Sequence, residues 1–160
     1  MLPLSGDRKP FPFLQTESSE AAGQLSPDGR LMAYISDESS QFEVYVRSFP
    51  SGEGQRLVSS NGGIGPCWRR DGKELFYYAP DGKLMAVEVK SGPPDGRQDA
   101  SFEVGPPRAL FGFRSGSLVP FPPYTVSADG QRFLLNTIVD ESGGAPLTVV
   151  VNWTEGLKKN

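Results

Sequence analysis

One phrase returns three times along this chain: Leu25-Ser26-Pro27-Asp28-Gly29-Arg30, Trp68-Arg69-Arg70-Asp71-Gly72-Lys73 and Val126-Ser127-Ala128-Asp129-Gly130-Gln131. Each copy runs straight into an apolar stretch, Leu31 to Ser36, Glu74 to Ala79 and Arg132 to Thr137. An Asp-Gly pair between two apolar runs is a hairpin signal, because Asp accepts backbone hydrogen bonds and Gly supplies a positive φ. The runs after the turn are apolar on both strand faces, so each must be covered on both faces, as an inner strand between neighbouring sheets is. In the first copy, alternation sends Leu31, Ala33 and Ile35 one way and Met32 and Tyr34 the other.

A second landmark is out of phase with the first: Leu4-Ser5-Gly6, Pro50-Ser51-Gly52 and Lys90-Ser91-Gly92 each follow an extended apolar stretch. Together the two registers define a unit of four strands. Asp28 and Asp71 lie 43 residues apart, within the period of about 40 to 45 expected for a four-stranded propeller blade. The interval from Asp71 to Asp129 is 58, and its excess is read as an inserted loop over 91–123, rich in Pro and Gly. The predicted fold is all-β, a partial β-propeller of a little over three antiparallel blades. Its expected parts are the end of a preceding blade (1–14), a blade (21–60), a blade carrying the insertion (64–113), an incomplete last blade (124–153) and a tail (154–160). Closed propellers have about 4 to 8 blades, so the expectation is a segment of a longer polypeptide, or an oligomer that completes the ring.

Composition narrows function by exclusion. With 37% hydrophobic residues, 19 glycines and 15 prolines, short strands and turns are favoured over long helices. The net charge of -3 argues against nucleic acid as a partner, since phosphate binding needs clustered Lys and Arg. Histidine is absent, which removes Ser-His-Asp and Cys-His arrangements and His-based zinc sites. Cys67 is the only cysteine and reads as a small core hydrophobe beside Trp68. No apolar run reaches the length of a membrane helix, and the first residues lack the pattern of a signal peptide. No cofactor is indicated.

The Ser-x-Asp-Gly turn, the small polar residue that closes the next strand and the run Glu43-Val44-Tyr45-Val46 resemble TolB-like, WD-repeat-like β-propeller blades of bacterial proteins. The ending Val149-Val150-Val151-Asn152-Trp153-Thr154-Glu155-Gly156-Leu157 resembles propellers that follow a eukaryotic-like Ser/Thr protein kinase domain. The resemblance implies a non-catalytic scaffold or sensing module, a protein partner and an extracytoplasmic location. Alternatives are the regulatory propeller of such a kinase and the gating propeller of an oligopeptidase-like hydrolase. Kinase motifs and a G-x-S-x-G elbow are both missing from the chain, so either catalytic domain would lie elsewhere.

Each candidate site has a plainer reading beside it. Asp28, Asp71 and Asp129 suggest metal or acid-base chemistry, but each precedes a glycine (Gly29, Gly72, Gly130) and reads as a turn residue; no Ca²⁺-loop spacing accompanies them. Asp37-Glu38 and Asp140-Glu141 fall after the second strand of a blade and would share one acidic rim able to attract a basic partner, against the reading of solvated loop charge. Arg69, Arg70 and Lys73 beside Trp68 read as solvated turn charges. Phe113, Leu118, Phe121 and Tyr124, set among glycines and prolines, are the expected apolar contact surface. The first strands, Gly23 to Leu25, Pro66 to Trp68 and Tyr124 to Val126, are expected to face a central channel.

Overall fold

The computed structural model describes residues 6, 9–92, 102–116 and 122–138. All regular structure among them is antiparallel β. Strands β1 (Glu20–Leu25), β2 (Leu31–Ser36), β3 (Glu43–Ser48) and β4 (Arg56–Leu57) pair in chain order as one sheet. The second sheet is built from β5 (Ile64–Trp68), β6 (Glu74–Tyr78), β7 (Lys83–Ser91), β8 (Phe102–Val104) and β9 (Arg108–Gly112). Strands β10 (Tyr124–Val126) and β11 (Phe133–Leu135) form a third, two-stranded sheet. A four-stranded meander stacked on a second antiparallel sheet, with a third behind it, is the arrangement of propeller blades.

The stacking follows from the inner strands. In β2 every residue is buried, and alternation splits them as the sequence predicts: Leu31, Ala33 and Ile35 enter the core against the second sheet, while Met32 and Tyr34 pack with Tyr45, Phe13, Leu14 and Phe49 on the other side. Strand β6 divides in the same way. Leu75 and Tyr77 meet the first sheet, while on the other face Phe76 meets Phe133 of β11 and Tyr78 packs on Phe113. Burying a side chain of this size contributes about 1.5–3 kcal/mol, whereas a turn hydrogen bond nets about 1 kcal/mol. The faces between sheets, more than the turns, hold the array together.

Part of the segment expected as inserted loop, 102–104 and 108–112, is strand. Strand β7 is nine residues long; its first part pairs with β9 and its last residues, Val89 to Ser91, pair with β8. Phe102 on β8 is buried in the first core, with Arg56 above its ring at 5.8 Å. An apolar ring that fills space beside Gly54 explains why part of the segment expected as loop becomes strand. The expected strands beyond Ile138 lie outside the described residues.

The first strands are stitched to one another. Trp68 Nε1 donates to Gln24 O at 3.2 Å, and the Tyr124 hydroxyl donates to Gly65 O at 2.8 Å. Both β1 and β5 are bulged on entry, where the register shifts between Ala21 and Gln24 and between Ile64 and Cys67. The residues in the left-handed region are Ala22 (φ 53°) and Gly65 (φ 60°), separated by the same 43 residues as Asp28 and Asp71.

These bulges give a test. A Cβ on Gly65 would lie 2.7 Å from Pro122 Cα, so Gly65→Ala is expected to cost about 2 kcal/mol or more, combining left-handed strain with a backbone clash. Ala22→Gly is expected to change stability by no more than about 1 kcal/mol, because relief of strain is offset by added freedom in the unfolded chain. Thermal unfolding of the two variants separates these outcomes.

Candidate binding rim

Strand directions sort the connections onto two ends of the stack. One end carries the three repeated Asp-Gly turns; the other carries the β2–β3, β4–β5 and β6–β7 connections.

At the first end each aspartate is occupied by its own turn. Asp28 Oδ1 accepts from the Ser26 hydroxyl at 2.6 Å and Arg30 N at 3.1 Å. Asp129 accepts from the Ser127 hydroxyl and from Gln131 N at 3.0 Å. The second copy has no serine here, and Arg69 takes its place: the guanidinium grips Asp71 at 2.7 and 2.9 Å and reaches Glu74 at 2.7 Å. The Arg69 hydrogen bond holds the Asp71 carboxyl below the usual carboxylate range. Gly29, Gly72 and Gly130 all have φ near 70° and donate back to the turn's first carbonyl.

The expected apolar contact surface is corrected for Tyr124. Its side chain is only 5% exposed and packs in the second core, because the ring fills the space against β5 while its hydroxyl is satisfied by Gly65 O. Phe113 is half-buried, its ring 4.8 Å from Tyr78. Leu118 and Phe121 lie outside the described residues. Of the first-strand residues expected to face a channel, Pro66 and Trp68 are buried, whereas Leu25 is 41% exposed.

The opposite end is built around Glu43, a charged residue at the start of β3 that is only 4% exposed. A buried carboxylate must be paired or hydrogen-bonded to be tolerable. Glu43 accepts from Gln41 Nε2 at 2.6 Å, from Gly62 N at 2.7 Å and from the Ser59 hydroxyl. The same Ser59 oxygen accepts from Val44 N at 2.7 Å, and Gly63 N donates to Phe42 O at 2.9 Å. One carboxylate therefore fastens the β2–β3 connection to the β4–β5 connection.

The third connection closes on these two. Ala79-Pro80-Asp81-Gly82 is a further Asp-Gly turn, with Lys83 N donating to Asp81 Oδ1 at 3.2 Å. A Cβ on Gly62 would sit 2.5 Å from Pro80 Cγ, and one on Gly63 2.7 Å from Ser59 Cβ and 2.9 Å from the Tyr77 ring. Two adjacent glycines allow the loops to meet. The Tyr78 hydroxyl donates to Phe113 O at 2.9 Å, bracing the rim from the far side.

Two clefts open there and share Ala79 and Pro80 as a wall. One, of about 250 Å³, is almost wholly apolar, lined by Phe42, Ile64, Tyr78 and Pro80 with the Gly62-Gly63 backbone as part of its wall. The other, of about 290 Å³, presents Ser60, Asn61, Asp81 and Lys83 beside Tyr77 and Met85. Burial pushes the Tyr77 hydroxyl from 10.0 up to about 12, so it remains protonated at neutral pH. Asp81 and Lys83 pair at 2.7 Å, and this contact holds the Asp81 carboxyl below its ordinary value. These groups offer shape and hydrogen bonding.

The sequence pointed to this end through Asp37-Glu38 and Asp140-Glu141, of which Asp140 and Glu141 lie outside the described residues. Glu43, Gly62, Gly63 and the Asp81-Gly82 turn were missed, although a Glu leading into the apolar run Val44-Tyr45-Val46 and a second Pro-Asp-Gly out of phase with the repeat were visible signals.

No protein-family model matches the chain. Over 79 residues it is 29% identical to the uncharacterized peptidase YuxL of Bacillus subtilis, covering 48% of this chain and 12% of that protein. A crystal structure of TolB from Acinetobacter baumannii aligns with 77% of this chain and 39% of that one, at 19% identity and a TM-score of 0.41. The chain thus spans a minor part of each.

Two measurements probe the rim. Glu43→Gln places an amide donor among donors and is expected to cost about 2–3 kcal/mol in denaturant unfolding, with faster hydrogen exchange at the Gly62 amide. The raised Tyr77 value means that the folded state holds this proton more tightly than the unfolded one. Its contribution to stability is complete below about pH 10 and is lost as pH rises towards about 12. Tyr77→Phe is expected to flatten that decline in urea midpoints taken across this window.

Proposed function

We propose that this chain is a non-catalytic β-propeller module for protein interaction, and that the Phe42–Gly62–Pro80 rim is its binding face. The observation that carries the reading is the fastening of three separate connections by buried Glu43 and two tightly packed glycines. Preorganised recognition surfaces need such rigidity, because ordering loops on binding costs affinity. The module belongs to a larger bacterial protein, and further blades, from the same polypeptide or a second copy, cover the outer side of β11, where Leu134 is 74% exposed.

A second reading is favoured by the local similarity to the peptidase YuxL: the chain is the propeller part of a peptidase-like protein, gating a catalytic domain outside these residues. With no histidine in its sequence, the chain cannot supply a Ser-His-Asp triad itself.

A photo-reactive residue placed at Gln41 tests the binding-face reading against a control at Arg70 on the opposite end. The expected result is a specific protein adduct from position 41, none from position 70, and no turnover of ester or peptide substrates by the chain. Equal labelling from both positions, or hydrolysis that survives purification, would overturn it.

A further inference from the structure

We propose that the rim binds an extended cationic peptide, seating one large apolar side chain in the Phe42–Ile64–Tyr78–Pro80 cleft with lysine or arginine on either side of it. This rests on the rim being the binding face, and adds what that face recognises.

Size comes first. Pockets for drug-sized molecules run from about 300 to 1,000 Å³, whereas the apolar cleft holds about 250 Å³. It suits one side chain, and buried aromatic or aliphatic anchors in such pockets dominate peptide and protein recognition. The neighbouring cleft begins across the shared Pro80 wall and is lined by polar groups of Ser60, Asn61 and Asp81. A chain crossing Pro80 would place its anchor in the first cleft and its backbone and next side chain in the second.

Charge decides the flanks. The topology brings Glu20, Asp37, Glu38 and Asp81 to this end against the two cations Lys83 and Arg114, whereas Arg30, Arg69, Arg70, Lys73 and Arg132 sit with Asp28, Asp71 and Asp129 at the other. Lys83 is already paired with Asp81. Asp37 and Asp81 each use an oxygen for a backbone amide, Ser19 N and Lys83 N, yet an ionised carboxylate keeps further acceptor sites. Such a rim repels acidic segments and steers basic ones, and its attraction weakens with salt.

The test is a panel of fluorescent capped heptapeptides with Phe, Leu or Ala at the centre and Lys, Ser or Glu on both sides, titrated against the full chain. Lys-flanked Phe or Leu peptides are expected to bind at least tenfold more tightly than the Ala-centred or Glu-flanked ones, and to weaken at raised salt. Phe42→Asp is expected to abolish binding. The paired change of half-buried Asp37→Asn with exposed Asp81→Asn, neither of them a core residue, is expected to weaken only the Lys-flanked peptides, by about fivefold. Preference for Glu flanks, or indifference to flanking charge, would overturn this inference while leaving the rim a binding face. Absence of binding across the panel also overturns it, and the cross-linking result from Gln41 then decides the fate of the binding-face reading separately.

Discussion

Everything in this fold depends on strands that are apolar on both faces. A sheet with one wet face can stand as half of a two-layer domain, but β2 and β6 have no wet face and need a neighbour on each side. The first sheet meets its need with Phe13, Leu14 and Phe49 on one side and the second sheet on the other. The second meets it with the first sheet and with Phe133 and Tyr124. Stacking is thus a consequence of composition at a few inner positions.

That dependence also sets where a binding face can form. With both sheet faces committed to packing, recognition falls to the ends of the strands, where connections from different sheets come together. The repeated turns at one end are nearly self-contained, each aspartate answering amides of its own turn. The other end is composite: Glu43 lies in one strand, and the groups it holds come from connections before and after it.

This division explains what could be read from the sequence. The turns and the alternation of Leu31 to Ile35 were legible because their causes are local, a positive φ after Asp and a period of two. The rim was not, since Gln41, Ser59, Gly62 and Pro80 are brought together only by pairing between strands far apart in sequence. Tyr124 misled for a related reason. Prolines around an aromatic suggest an exposed loop, and only the carbonyl turned outward by the bulge at Gly65 shows why that ring points inward. Phe102 was likewise hidden in a segment whose composition speaks of loop.

The bulge at the start of the first strand makes the units less interchangeable than their turns suggest. The position held by Ala22 and then by Gly65 is held in the third unit by Pro123, a buried residue whose ring fixes φ near −65° and forbids the left-handed conformation. The third unit therefore enters its first strand without that kink. A duplicated or shuffled unit would carry its own entry geometry to a neighbour built for another, so the units are not interchangeable.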